Sequence, residues 1–126
     1  RGLITPAEAA SLNSEYQWAL LPIEDEVTRY AFPSKSSSYV FSGAFIAAIC
    51  GKCTSVAGWV SLNKLGTVVE PNEKSLCAFF ADVENNQVDY QSFDVSRANL
   101  KKALSFEVFV NELSSLVCPK EVANEK

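Results

Sequence analysis

Three candidate strands separated by polar turn residues constrain the predicted fold more than any other feature of the chain. The candidate strands are residues 67–69, the apolar run 76–83, and residues 88–95, in which Val88 and Tyr90 lie on one side of the pleat; residues 71–74 and 84–87 between them are typical turn formers. Short strands joined by such turns favour an antiparallel arrangement. The pattern therefore predicts a three-stranded antiparallel meander, or a larger one, with residues 76–83 as its central strand.

Helices are predicted at both ends of the chain. Thr5 is a suitable N-cap, Pro6 fits the first helical position and Glu8 completes a capping box, so we expect a helix over residues 6–19. Ser96 is predicted to cap a helix through Leu104, and Ser105 a second one. The second helix repeats its apolar residues along one face, which makes six of them core candidates. They are Phe106, Phe109, Val110, Leu113, Leu116 and Val117.

These elements together predict an α+β fold, in which an N-terminal helix and the antiparallel meander pack against the C-terminal helices. The chain has 126 residues, a typical length for one domain. We assign residues 1–118 to a single α+β domain and residues 119–126 to a polar C-terminal tail. The last helix is expected to end at Cys118 and Pro119, and its phenylalanines are expected to pack on Phe79 or Phe80.

The segments between the first helix and the meander are less regular. Residues 27–32 are rich in β-branched and aromatic side chains and predict a short strand that ends at Pro33. Residues 34–38 form a polar connection. Residues 39–50 fit either a helix or a buried strand, and we favour the helix. Residues 54–65 fit an amphipathic helix or a bend followed by a strand, and both alternatives stay open.

The complete absence of histidine narrows the chemistry available to this chain. Histidine is the commonest general base and metal ligand, so His-dependent triads and His-containing zinc sites are excluded. The net charge of −4 disfavours nucleic acid as a partner, and the five glycines form no phosphate-binding motif. The longest mostly apolar stretch, residues 39–50, is shorter than the roughly 20 residues that a membrane-spanning helix needs. We therefore expect no cofactor and no membrane span.

One pair of cysteines, Cys50 and Cys53, is the strongest chemical motif of the sequence. The two residues between them, Gly51 and Lys52, leave both sulfurs within reach of a reversible disulfide. The order of apolar segment, dithiol and candidate helix resembles the active-site context of the thioredoxin family over about twenty residues. This resemblance implies a thiol-disulfide oxidoreductase, although Ile49 stands where that family commonly has an aromatic residue. The alternative is that both are ordinary core or loop cysteines, and the apolar stretch before Cys50 predicts burial of its thiol.

Other candidate sites have ordinary structural explanations. Cys77 and Cys118 complete an even set of four cysteines, which could hold zinc or form two disulfides, but their spacing is poor for a four-thiolate site and we expect no metal. A group of carboxylates is expected to lie at a solvated hairpin tip, because its residues do not match a calcium-binding loop. The group consists of Asp82, Glu84, Asp89 and Asp94.

With the catalytic signatures weak or absent, the sequence favours a non-enzymatic binding or protein-interaction domain. Its partner would be a protein or a small ligand. The alternative function is a thiol-disulfide oxidoreductase that uses Cys50 and Cys53. Exposure of the two thiols distinguishes the hypotheses, since an oxidoreductase must present at least one thiolate to its substrate.

Overall fold

Six helices and a three-stranded sheet make up the part of the chain that the computed structural model describes, residues 2–117. A single 3-10 turn, Val27–Arg29, lies between the first strand and the second helix. The helices are α1 (Pro6–Ser14), α2 (Lys35–Ser42), α3 (Ser55–Leu62), α4 (Glu73–Glu84), α5 (Tyr90–Ala103) and α6 (Phe106–Val117), and the strands are β1 (Trp18–Pro22), β2 (Phe45–Ile49) and β3 (Gly66–Val69).

The sheet is parallel throughout, with the strands in the order β1, β2, β3. Ala47 in the central strand pairs with Leu20 on one side and with Thr67 on the other. Parallel neighbours require a crossover, which α2 supplies between β1 and β2 and α3 supplies between β2 and β3. The predicted mixture of helices and a sheet is therefore present, but the predicted antiparallel meander is wrong.

The supposed central strand of the meander is helix α4. The Asn72 side-chain oxygen caps this helix by accepting a hydrogen bond of 2.8 Å from the backbone N–H of Ser75. Leu76, Phe79 and Val83, three and four residues apart, pack toward the sheet. Phe80 points away and is 53% exposed. The apolar run thus follows a helical period, which its neighbouring phenylalanines obscure in the sequence.

The third predicted strand, residues 88–95, belongs mainly to helix α5. Asp89 caps the helix through a hydrogen bond of 3.1 Å from the Ser92 N–H to its carboxylate. Tyr90 and Phe93 then stack near Phe45 of β2, with ring centroids 5.2 and 5.7 Å away. The predicted helix that Ser96 would cap starts earlier than expected, because Asp89 already supplies the cap.

The N-terminal helix begins as predicted but ends early. Thr5 and Glu8 form the expected capping box, and Pro6 is the first helical residue. Helix α1 stops at Ser14, because Trp18–Pro22 pairs with β2 instead of continuing the helix. Tertiary pairing overrides the helical spacing here.

The predicted strand over residues 27–32 is wrong, since its first half is the 3-10 turn. The Thr28 hydroxyl donates a hydrogen bond of 2.7 Å to the Asp25 carbonyl, which favours a turn over an extended backbone. The predicted polar connection at 34–38 opens helix α2. Residues 39–50 divide between the end of α2 and strand β2, so the favoured single helix is also wrong, whereas residues 54–65 take the helical alternative as α3.

The core lies on the two faces of the sheet. Ile46 and Ala48 of β2 face α2 and α3, where they pack with Val56 and other buried residues. Ala47, between them in sequence, faces Phe79 of α4 on the opposite side. A strand buried on both faces explains the continuous apolar stretch before Cys50.

The predicted packing of α6 onto the sheet is wrong. Helix α6 contains no buried residue, and Phe109 is 57% exposed. Phe79 packs on Trp18 instead, with ring centroids 5.0 Å apart. Cys118 and the predicted tail, residues 119–126, lie outside the described residues, and the assignment of residues 1–118 to one domain stays a prediction.

Candidate functional site

The carboxyl edge of the parallel sheet is the first place to look for a site, because open parallel sheets commonly bind ligands there. Three loops meet at this edge: residues 23–26 after β1, residues 50–54 after β2 and residues 70–72 after β3. The second loop contains both cysteines of the dithiol. The topology thus places the dithiol of Cys50 and Cys53 at the edge of the sheet where ligands commonly bind.

Cys50 is the inner cysteine of this loop and is completely buried, with 0% exposure. Its N–H continues the ladder by donating to the Val69 carbonyl at 3.1 Å. The Thr54 hydroxyl lies 3.3 Å from its sulfur and donates a hydrogen bond to it. The predicted burial of this thiol is confirmed. In this conformation the Cys50 sulfur acts as a small core side chain and cannot reach a substrate.

Cys53 follows three residues later in the same loop and is exposed. It directly precedes Thr54, whose hydroxyl caps α3 by accepting a hydrogen bond from the Ala57 N–H at 3.1 Å. Cys77 on α4 is also exposed, and among residues 2–117 no disulfide joins any of the three cysteines. The dithiol therefore has one buried and one accessible thiol.

Asp25 closes the loop from the side of β1. Its Oδ1 atom accepts a hydrogen bond of 2.7 Å from the Gly51 N–H. A Cβ atom at position 51 would overlap the same carboxylate, so another residue there would displace the Asp25 side chain from this position. A backbone N–H in such a loop is the group that would hold a ligand phosphate. Here the protein's own carboxylate takes that position and adds negative charge, which disfavours an anionic ligand.

The remaining charged residue of the loop, Lys52, turns toward the third loop. Its ammonium lies 3.6 Å from the Glu70 carboxylate, and both side chains are substantially exposed. An exposed pair of this kind contributes about 0–1 kcal/mol. The positive charge of Lys52, which lies beside the dithiol in the sequence, is therefore paired with the negative charge of Glu70.

The predicted hairpin tip of four carboxylates is wrong, because these residues lie on or cap helices α4 and α5. Asp82 and Glu84 lie on α4, Asp89 caps α5, and Asp94 is paired with Arg97. Within residues 2–117, no three His, Cys, Asp or Glu side chains come close enough together to hold a metal ion.

Helix α6 has more exposed large apolar residues than any other helix or strand within residues 2–117, and we call the surface they form the α6 face. Its helical spacing was predicted correctly, but its exposure was missed because the sequence shows which face is apolar and not what covers it. Ser105 begins the helix by accepting a hydrogen bond of 3.3 Å from the Val108 N–H. The α6 face consists of Phe106, Phe109, Val110, Leu113, Leu116 and Val117, all of them exposed.

Contacts within α6 do not compensate for this exposure. The rings of Phe106 and Phe109 lie 6.4 Å apart and shield each other only in part. A helix of this length is marginal in water on its own, because its stability normally comes from packing an apolar face. Covering the α6 face would therefore stabilise the helix as well as remove apolar surface from water.

None of the helices within residues 2–117 is both long and apolar enough to cross a membrane.

Comparisons with known proteins identify no family for this chain. No protein-family model matches the chain, and neither a curated protein nor a solved structure is significantly similar to it.

Proposed function

We propose that this chain is a non-enzymatic protein-interaction domain whose contact surface is the α6 face. The observation that carries the proposal is the exposure of six apolar side chains along one side of a single helix. Contiguous apolar surface of this kind is uncommon on a protein that acts alone and typically marks a site of association. The sheet and helices α1 to α5 then serve as the framework that carries α6.

The size of the α6 face suits a reversible contact. Burying one large aliphatic or aromatic side chain contributes about 1.5–3 kcal/mol, and these six are already partly covered by their own helix. Complete burial would thus contribute on the order of 10 kcal/mol before the cost of association, which is itself several kcal/mol. The balance favours an interaction that forms and dissociates rather than a permanent one.

The thiol-disulfide alternative needs a nucleophilic thiolate at the carboxyl edge of the sheet. Only Cys53 is placed to contact a substrate, while its partner Cys50 is buried beneath Thr54. Turnover would require the loop to open and release Cys50. The alternative remains a hypothesis, which a disulfide-reduction assay on the Cys50→Ser and Cys53→Ser variants tests.

Site-specific photo-crosslinking in the cells that produce the protein tests the proposed function. A photoreactive amino acid replaces Leu116 on the α6 face, and the control carries it at Tyr16 after α1, which is also exposed. We expect a discrete adduct with another protein from position 116 and none from position 16. Adding Leu113→Asp should abolish the adduct without changing the circular dichroism spectrum or melting temperature. No adduct from position 116, or the same adduct from both positions, contradicts the proposal.

A further inference from the structure

Resting on that proposed function, we infer that the partner presents an apolar groove with lysine or arginine along both rims, and that it is not a second copy of this chain. Two observations lead to this partner. The first is the charge along the borders of the α6 face, and the second is the area that the face offers.

Acidic residues lie beside the α6 face on both of its sides. Helix α6 contains Glu107 and Glu112 but no lysine or arginine. At 3.6 residues per turn, Glu107 lies beyond the border formed by Val110. Glu112 lies beyond the opposite border, formed by Leu116. Both carboxylates are exposed and would meet the rims of any groove that receives the helix.

A second copy fits this arrangement poorly. Two α6 faces packed together would bring acidic borders to acidic borders, in a chain whose net charge is already −4. The pair would also bury only the apolar side chains themselves, roughly 1,000 Å² in total if each loses on the order of 80 Å², which is small even for a transient interface. A groove that encloses the helix on three sides covers the same apolar residues and the flanking ones as well.

The order of side chains along α6 also defines the shape of the groove. Its N-terminal half presents the rings of Phe106 and Phe109, and its C-terminal half presents the smaller Leu116 and Val117. The spacing of three and four residues is that of a helix held in a groove by side chains on successive turns. The groove should therefore be about 18 Å long, the length of twelve helical residues, and wider at the end that receives the phenylalanines.

Two designed helical hairpins serve as probes of this inference. Each has a groove of leucine and isoleucine between its two helices, and they differ only in the residues along the rims, which are lysine in one and glutamate in the other. Binding to the full chain is measured by fluorescence anisotropy at 50 and 500 mM NaCl. Analytical ultracentrifugation of the chain alone gives its oligomeric state.

We expect the lysine-rimmed hairpin to bind at least tenfold more tightly than the glutamate-rimmed one at 50 mM NaCl. The preference should shrink at 500 mM NaCl, because salt screens exposed charges. Replacing both border residues, Glu107→Gln and Glu112→Gln, should lower affinity for the lysine-rimmed hairpin about threefold to tenfold. The control Glu15→Gln removes an acid just after the end of α1, away from the α6 face, and should leave the affinity unchanged.

The outcomes separate this inference from the proposed function. Equal binding of both hairpins, lost in Leu113→Asp, supports the α6 face as a contact surface but overturns the basic rim. A concentration-dependent dimer that Leu113→Asp dissociates overturns the inference in favour of a second copy. If neither hairpin binds at 100 µM and the chain stays monomeric, the proposed function itself is contradicted.

Discussion

The same substitution at two phenylalanines tests where the hydrophobic core ends. Phe79 is 6% exposed and contacts Trp18 edge to face, whereas Phe109 is 57% exposed on α6. Truncating a buried phenylalanine to alanine costs about 3–5 kcal/mol, through lost burial and the cavity left behind. We therefore expect Phe79→Ala to lower the free energy of unfolding by about 3 kcal/mol or more.

Phe109→Ala should change the free energy of unfolding by less than about 0.5 kcal/mol, as is usual for surface positions. The apolar area that it removes is largely in water already, and alanine is the better helix former, which offsets part of any loss. Urea unfolding followed by tryptophan fluorescence reports both values, because Trp18 lies beside Phe79. A cost above about 2 kcal/mol at Phe109 would show that α6 packs on the domain, and both the free α6 face and the proposed function would fail.

Three further predictions concern the framework and the loops. Gly66→Ala should lower the melting temperature, because its Cβ would overlap the Ile46 backbone, while Gly58→Ala in α3 meets open space and should raise stability by up to about 1 kcal/mol. The hydrogen bonds from Thr5 lower the pKa of Glu8. The stabilisation they give to α1 is therefore complete above the ordinary glutamate pKa and is lost as the pH falls through the lowered value, which NMR of the Thr5 amide detects. Iodoacetamide should modify Cys53 in the native protein but Cys50 only after unfolding, as read by peptide mass spectrometry.

Local signals in the sequence identify the beginnings of helices better than they distinguish helices from strands. The capping box of Thr5 and Glu8 correctly marks the start of α1. The comparable cap at Asn72 does not by itself indicate α4 in the sequence, because the run after it is almost continuously apolar. A mostly apolar run of eight residues fits a buried strand or a helix equally, and only the position of the sheet decides between them. That position is set by β2, whose own character was ambiguous in the sequence.

Strand β1 shows a second limit of local sequence patterns. Tyr16 and Ala19 continue the three- and four-residue spacing of α1, so the sequence alone extends the helix. The structure instead pairs Trp18–Pro22 with β2 across the sheet. The side chain of Trp18 then packs against Phe45 and Phe79, contacts that a helix continuing from α1 would not provide. Long-range contacts of this kind outweigh helical propensity, and no local pattern encodes them.

The two candidate sites differ in what the sequence could predict about them. Burial of Cys50 follows from the apolar strand that leads into it. Asp25 of a distant loop then takes the Gly51 N–H, so this backbone donor at the carboxyl edge of the sheet is not free for a ligand. Helix α6 shows the reverse case, because its spacing predicts an apolar face and the structure leaves that face uncovered. Within residues 2–117, more exposed large apolar side chains lie on α6 than on any other helix or strand. A partner that covers this helix gains from removing that surface, which is why the argument for function moves from the dithiol to the α6 face.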